Sequence, residues 1–378
     1  MKEIQGKYTS AKVFANTLGE NCIKQIETLC NHPLFENKRI VFMPDIHVGV
    51  GTCIGTVAEI DSAHIIPWLL GNDIGCTISA TKISGKTLKE FDKLDKVIKS
   101  LNVCKNKSYD TFKAYTNSIC DYLGWNPNPY IKSVGSIGKG NHFISVEKGQ
   151  TGIYLVVHSG SRRFGNDLHI HFCKKALEQN PYETGELKQL SWLDEETSAQ
   201  YRKYVIHATT YAELNQKLII DTLCKEMKWN KQDSLFCIHN YIDRIYPNNQ
   251  PQWDNNWQPS EYIDILHKGS ISLKKDELGI IPINMAYGSF IVKGKGNNDW
   301  LNSAPHGAGR LLSRTQAKEM LTMNDYKADM KGVHSCCIST GTLDEAPMAY
   351  KSGDEIKELI TPTADIFDHL IPLYNFKE

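Results

Sequence analysis

The feature that most constrains the fold is the alternation, along one chain, of short apolar runs with longer segments of helical spacing. β-Branched and apolar residues cluster at 40–43, 153–157 and 290–292, each bordered by Gly, Pro or polar residues, as is typical of buried strands. Apolar residues recur at helical spacing over 20–30, 88–101 and 195–226, the last being the longest such segment. We therefore expect an α+β fold with a central β-sheet core surrounded by helices.

Composition favours a continuous globular chain. The 378 residues are 41% hydrophobic, which suffices for one large domain or two medium ones. No repeat, low-complexity tract or linker divides them, so we expect a single domain over residues 1–378. Lys+Arg and Asp+Glu both number 43, so contact with a nucleic acid requires a local basic surface. The N-terminus lacks the apolar core of a secretory signal, and no long apolar run occurs, which predicts a cytoplasmic protein without a membrane partner.

The cysteines predict thiols rather than disulfides. There are 11 of them in a long chain without a secretory signal, and none forms a CxxC pair. A structural zinc knuckle is therefore not expected, although single cysteines can still ligate a metal together with distant histidines. We expect the adjacent Cys336 and Cys337 to be buried and inert.

Five Gly-rich or strand-ending segments carry potential metal ligands or phosphate-binding backbone. They are PDIHVGVG at 44–51, GNDIGC at 71–76, GKGNHF at 138–143, HSGSRR at 158–163 and IHNYI at 238–242. Each alone is more often a structural turn or a satisfied histidine. Together they supply one carboxylate, one thiolate and three imidazoles: Asp73, Cys76, His142, His158 and His239. This mixture suits Mn²⁺, Zn²⁺ or Co²⁺, and because a thiolate can bridge two ions, a two-metal site is plausible.

The segment HGAGR at 306–310 combines a nucleophile candidate with glycines and a guanidinium group. Neutral imidazole can attack phosphorus, and exposed backbone N–H groups with nearby cations can stabilise phosphoryl oxygens. The alternative is a Gly-rich helix entry with an exposed His306. On spacing alone the two interpretations are equally good.

The ordered set MPDIHVG, GNDIGC, GNHF, HSGSR, HN, HKG, HGAGR and EAPMAYKS resembles the RtcB family of RNA 3′-phosphate ligases. The resemblance runs from about residue 40 to the C-terminus, and the ordered combination is far more specific than any of its parts. It implies an RtcB-like domain in a short, divergent bacterial-type member of the family.

The resemblance also implies the roles of individual residues. The five ligands would hold two Mn²⁺ ions with Cys76 shared between them, and His306 would carry GMP. The implied contacts to GTP or GMP come from Asn141, Asn240, Asn284, Ser289, His306, the backbone of Gly307, Ala308 and Gly309, and, beside the guanine base, Tyr350 and Lys377.

The implied reaction joins an RNA 3′-phosphate or 2′,3′-cyclic phosphate to an RNA 5′-hydroxyl, with GTP as co-substrate, in RNA repair or tRNA splicing. We expect a monomer, with an activating protein partner left open. Two alternatives remain: a two-metal phosphoesterase or nuclease that uses the same ligands without a covalent guanylate, and a non-catalytic RNA-binding protein.

Three departures from the family pattern concern the substrate side. Ser145 occupies a position that is usually acidic, with Glu147 two residues later, and Pro305 precedes His306 where Cys is frequent. The HKG segment continues without the usual arginine, for which Lys268, Lys274 or Lys275 are the nearest substitutes.

The candidates for RNA contact lie beside the Gly-rich segments. The arginines that could meet backbone phosphates are Arg162, Arg163, Arg310 and Arg314, of which Arg163 and Arg314 are equally well explained as solvated or structural. Four tryptophans could stack on bases, but we expect core packing for them: Trp125, Trp253, Trp257 and Trp300.

Overall fold

The computed structural model describes residues 1–106, 108–138, 140–180, 184–245 and 262–377. Its strands are β1 Lys2–Gln5, β2 Ser10–Val13, β3 Ile40–His47, β4 Ile54–Ile60, β5 Thr77–Ser84, β6 Phe143–Lys148, β7 Ile153–Ser159, β8 Asn230–Ile238, β9 Asn240–Ile245, β10 Ile263–Lys268, β11 Ser270–Ser272, β12 Leu278–Asn284, β13 Gly288–Gly294, β14 Ser303–Pro305 and β15 Ala364–Phe376. Its α-helices are α1 Glu20–Cys30, α2 Pro67–Leu70, α3 Phe91–Lys99, α4 Tyr109–Leu123, α5 Asn128–Ser133, α6 Arg162–Gln179, α7 Glu195–Met227, α8 Arg314–Met320, α9 Met323–Asp329 and α10 Gly353–Leu359.

Two large sheets form the scaffold. A seven-stranded sheet has the order β12-β13-β15-β6-β7-β5-β8, and a six-stranded sheet has the order β1-β2-β3-β4-β10-β9. Among the described strands, the short β11 and β14 form a separate two-stranded sheet. Neighbours within the seven-stranded sheet are antiparallel, so the end of one strand lies beside the start of the next.

Strand β7 shows why this sheet is buried on both faces. Successive side chains of a strand point to opposite faces. Leu155 and Val157 pack in the apolar cluster that includes α3 and α7, whereas Tyr154 and Val156 belong to the cluster on the other side, with β12 and β13. Apolar residues at consecutive positions are therefore required, which explains the continuous apolar run of this strand.

The predicted elements are confirmed. The apolar runs at 40–43, 153–157 and 290–292 lie within β3, β7 and β13, and the helical segments correspond to α1, α3 and α7. Helix α7 begins after Asp194, whose carboxylate accepts a hydrogen bond from the backbone N–H of Thr197 at 2.8 Å. The α+β class follows from these elements.

All 11 cysteines are free thiols, as the sequence predicts. The expectation for Cys336 and Cys337 is wrong in one respect, because Cys336 is exposed and Cys337 is only half-buried. Their Sγ atoms lie 3.7 Å apart in the loop after α9. Over the described residues, every helix is too short or too polar to cross a bilayer.

Candidate metal and nucleotide site

One edge of the seven-stranded sheet collects the predicted metal ligands. The start of β6 pairs with the end of β7 (Phe143 opposite His158), and the start of β5 pairs with the end of β8 (Thr77 opposite Ile238). Because β7 and β5 are themselves neighbours, these strand ends lie side by side. The residues on or next to them are Cys76, His142, His158 and His239. Antiparallel pairing thus brings together ligands that are up to 163 positions apart, from 76 to 239.

The ligand atoms form two groups that share Cys76. One group is Cys76, His158 and His239; the other is Asp73, Cys76 and His142; within each, the ligand atoms lie within 4.8 Å of one another. Cys76 Sγ lies 3.1 Å from Nε2 of His158 and 3.4 Å from Nε2 of His142. Nε2 of His142 lies 3.0 Å from Oδ2 of Asp73. Two ions with a common thiolate would fit this arrangement.

The chemistry of these side chains fits metal binding. Nδ1 of His158 and both ring nitrogens of His239 are buried without a hydrogen-bond partner among the described residues. Burial lowers the pKa of both imidazoles well below the usual range, so they are in the neutral form that ligates metals. Burial also raises the pKa of the Cys76 thiol, helped by the nearby Asp73 carboxylate. A divalent cation would reverse that effect by stabilising the thiolate.

His306 lies next to the metal ligands and is held by a buried carboxylate. Its ring centroid is 5.2 Å from that of His239. Its Nδ1 donates to Oδ2 of Asp45 at 2.6 Å, and Asp45 is fully buried at the end of β3. Since the carboxylate can only accept, it fixes the tautomer with the proton on Nδ1, and Nε2 keeps its lone pair. The arrangement makes Nε2 available as a nucleophile.

Gly309 is required by the close approach of the two segments. Its φ is +76°, and an added Cβ would lie 2.3 Å from the carbonyl oxygen of Asp45. Lys351, also buried, donates to the carbonyl of Pro44 at 2.5 Å. Gly309 of the HGAGR segment and Lys351 of the AYK segment therefore both contact the backbone of the strand that carries Asp45.

A cavity of about 1180 Å³ opens onto His306. Its lining includes many of the residues expected to contact GTP or GMP: Asn141, Asn284, His306, Gly307, Ala308, Gly309, Tyr350 and Lys377. The same wall contains His158 from the metal-ligand edge. The cavity thus joins the candidate nucleophile, one predicted ligand and most of the expected nucleotide contacts.

Two expected nucleotide contacts, Asn240 and Ser289, are not among the residues that line the cavity. Asn240 donates to the carbonyl of Asp73 at 2.9 Å and accepts from the N–H of Gly269 at 2.8 Å, so its amide joins the GNDIGC and HKG segments. Ser289 is fully buried and its hydroxyl donates to Oε1 of Glu147 at 3.3 Å. Ser289 therefore supports a side chain that lines the cavity, whereas Asn240 connects two backbone segments.

Comparison with known proteins identifies the family. A family model described as tRNA-splicing ligase RtcB matches residues 25–117 and 127–378. The chain is 30% identical over 363 residues to the RNA-splicing ligase RtcB of Escherichia coli K12, covering 84% of this chain and 85% of the relative. The tRNA-splicing ligases RtcB of Methanococcus maripaludis and Nanoarchaeum equitans are 23% and 22% identical over 443 and 404 residues, covering 93% and 84% of this chain and 90% and 83% of those proteins.

The chain belongs to the RtcB family. It is therefore an RNA ligase. The resemblance inferred from the ordered motifs is confirmed, and the matched residues extend further toward the N-terminus than the motifs do.

One acidic side chain that sequence reasoning missed holds four of the residues that line the cavity. Glu345 is buried at the end of a short 3₁₀ helix, and its two oxygens meet four partners. Its contacts are Tyr350 Oη at 2.5 Å, Arg314 Nη1 at 2.5 Å, Arg310 Nη1 at 3.3 Å and the Lys377 ammonium group. Burial alone would raise the pKa of Glu345, but Lys377 and Arg314 lower it below the usual range.

The arginines considered for RNA contact have protein partners. Arg310 is engaged by the Glu345 network, and Arg314 also reaches Asp344 at 2.6 Å while its side chain stays 48% exposed. Nη1 of Arg162 donates to Nδ1 of the predicted ligand His142 at 3.1 Å, and Arg163 pairs with Asp167 on the surface. Arg314 is therefore the best exposed of those beside the cavity.

The lysines and tryptophans singled out in the sequence have mostly structural surroundings. Lys268 is buried, and its ammonium group donates to the carbonyls of Val50 and Trp68. Lys274 lies on the surface 3.8 Å from a carboxylate oxygen of Asp243. Trp300 is buried and stacks on Phe14, and Trp125 packs against Tyr130 and Phe164. Trp253 and Trp257 lie outside the described residues.

Proposed function

We propose that this RtcB member joins RNA 3′-phosphate or 2′,3′-cyclic phosphate ends to 5′-hydroxyl ends, with GTP and two Mn²⁺ ions, through GMP attached to His306. The observation that carries the proposal is the pairing of His306 with a buried carboxylate beside a double ligand cluster. A phosphoesterase would need the ligands alone, whereas an imidazole with its lone pair held toward a large cavity has the properties of a covalent carrier.

In the first step, Nε2 of His306 attacks the α-phosphorus of GTP. A P–N bond forms, the bond to the β-phosphate oxygen breaks, and pyrophosphate leaves. Asp45 accepts the hydrogen bond from Nδ1 throughout, so it stabilises the positive charge that develops on the ring. The backbone N–H groups of Gly307, Ala308 and Gly309 follow His306 directly in the chain and would donate hydrogen bonds to the phosphate oxygens.

In the later steps, GMP passes from His306 to an oxygen of the RNA 3′-phosphate, and the P–N bond breaks. A 2′,3′-cyclic phosphate is first hydrolysed to the 3′-phosphate. The RNA 5′-hydroxyl then attacks the activated phosphorus and GMP leaves. Bound Mn²⁺ ions, held by Asp73, Cys76, His142, His158 and His239, would supply positive charge for the phosphate groups. Tyr350 and Lys377, held by Glu345, would orient the base.

The proposal extends to the setting of the reaction. We propose that residues 1–378 act as one ligase domain, as a monomer in the cytoplasm, in RNA repair or tRNA splicing. An activating protein partner is compatible with the cavity lining, in which Leu311 is an exposed apolar side chain. None of these points is needed for the chemistry at His306.

A joining assay tests the proposal. A labelled RNA with a 3′-phosphate is incubated with a second RNA that has a 5′-hydroxyl, with the purified chain, GTP and Mn²⁺. We expect a joined product that disappears when GTP or Mn²⁺ is omitted or when His306→Ala is used. RNA cleavage without GTP that persists in His306→Ala would replace this proposal with the phosphoesterase alternative.

A further inference from the structure

Two polar side chains of the cavity wall take no part in the proposed attack by His306. Glu147 lies on β6 and Asn375 on the neighbouring β15, and both line the cavity that contains His306. They are 2% and 3% exposed, respectively. Polar groups buried to this degree are normally hydrogen-bonded, so each of their atoms needs a partner.

Each of these side chains has one acceptor atom without a partner. Oε1 of Glu147 accepts from the hydroxyls of Ser145 at 2.6 Å and Ser289 at 3.3 Å. Oε2 of Glu147 and Oδ1 of Asn375 have no hydrogen-bond donor among the described residues. The two serines thus hold the Glu147 carboxylate by Oε1 and leave Oε2 as an acceptor for a ligand.

The sheet register brings the two acceptors together. Asn375 is the pairing partner of Ser145, which is two residues before Glu147 on the same face of β6. The Glu147 carboxylate bends back over the small Ser145 to reach its hydroxyl. The unpartnered acceptors of Glu147 and Asn375 therefore belong to one face of two adjacent strands.

Two neighbouring acceptors match a ligand edge that has two neighbouring N–H donors. Guanine has such an edge, with N1–H beside its exocyclic amine, whereas adenine has an unprotonated N1 there. We propose that Glu147 and Asn375 form an acceptor pair that selects guanine by binding its N–H donor edge. This inference rests on the proposed use of GTP and names the residues that make the choice.

The surroundings of Glu147 support this role. Burial raises its pKa to about 7, against the two serine hydrogen bonds that lower it. Donors on the ligand would stabilise the ionised carboxylate and remove part of that cost. A site built to bind donors rejects analogues that lack them, since the buried acceptors then stay unpaired.

The experiment compares GTP with inosine triphosphate, which lacks only the exocyclic amine. Each is labelled at the α-phosphate, and kcat/KM for label transfer to the full chain is measured with Mn²⁺ for wild type, Glu147→Leu and Glu147→Gln. Asp368→Asn is the matched control, because Asp368 is a buried carboxylate on β15 that binds the backbone of Gln150 instead of lining the cavity. Thermal melting checks that each variant folds.

We expect wild type and the control to prefer GTP over inosine triphosphate roughly 10- to 150-fold, the range for one charge-assisted hydrogen bond in a buried site. Glu147→Leu should lower kcat/KM for GTP mainly through KM and bring the preference close to one, with Glu147→Gln between. A folded Glu147→Leu that keeps the wild-type preference overturns the inference.

The experiment distinguishes failure of the proposed function from failure of the acceptor pair. If wild type transfers no label from either nucleotide, the covalent carrier is refuted, and equilibrium binding of unlabelled GTP and inosine triphosphate then tests the acceptor pair directly. A GTP preference in binding that is lost in Glu147→Leu upholds the pair. Equal binding of both nucleotides by wild type refutes it.

Discussion

The most informative single substitution is Asp45→Asn, which keeps the shape of the side chain and removes its charge. Oδ2 of Asp45 accepts from Nδ1 of His306 at 2.6 Å in a fully buried position. A hydrogen bond to a charged group contributes about 1.5–3 kcal/mol. Losing that contribution as positive charge develops on the ring slows attack roughly 10- to 150-fold. If the asparagine amide donates to Nδ1, the proton moves to Nε2, and the loss grows toward about 10⁴-fold.

The assay is single-turnover transfer of label from saturating α-labelled GTP to protein, with Mn²⁺ content and thermal melting measured in parallel. We expect the rate to fall while metal content and melting stay close to wild type, because Asp45 belongs to neither ligand group. A rate within threefold of wild type in a folded, metal-loaded variant would refute the orienting role of Asp45. Lost metal with a lost rate would instead assign Asp45 to the metal site.

Three further perturbations test other parts of the site. Cys76→Ser should reduce Mn²⁺ stoichiometry more than Asp73→Ala, since Cys76 belongs to both ligand groups; equal losses measured by atomic absorption would argue against a shared thiolate. Truncation after Phe376 removes the Lys377 ammonium group from Glu345 and should abolish GTP binding in calorimetry but leave Mn²⁺ binding; an unchanged GTP affinity would contradict this. Glu147 has a pKa raised from 4.5 to about 7, so the folded state binds the extra proton, and the free energy of unfolding should fall by about 3 kcal/mol as pH rises from about 4.5 to 7. The free energy of unfolding of Glu147→Gln, measured with denaturant, should lack this pH-dependent decrease. Matching pH profiles for wild type and Glu147→Gln would rule out the contribution of Glu147.

Local sequence patterns predict the strands and helices well, because a strand buried on both faces is a continuous apolar run and a helix has apolar residues at helical spacing. The strands within β3, β7 and β13 and the long helix α7 are cases of this kind. The metal-ligand candidates also came from local signals, since each lies where a strand meets a Gly-containing or polar turn. Their convergence on one edge depends on the order β6-β7-β5-β8, which no local pattern contains.

The residues that sequence reasoning missed act through partners far along the chain. Asp45 meets His306 across 261 positions, and Glu345 meets Lys377 across 32. Asp45 had a signal, because it lies in PDIHVGVG at the end of a predicted strand, but nothing local indicates which imidazole it holds. The sequence makes Arg310 a candidate for RNA contact for the same reason, because the carboxylate that binds it lies 35 positions away.

In the proposed reaction His306 carries GMP through Nε2, and this attachment can be observed on the protein. It is tested most directly by incubating the full chain with GTP and Mn²⁺, digesting it under mildly alkaline conditions that preserve a phosphoramidate, and locating the modification by mass spectrometry. We predict one GMP on the peptide that contains residues 306–310, assigned to His306 by fragmentation and missing in His306→Ala. GMP on another residue, or an unmodified protein that still joins RNA ends, would contradict the account.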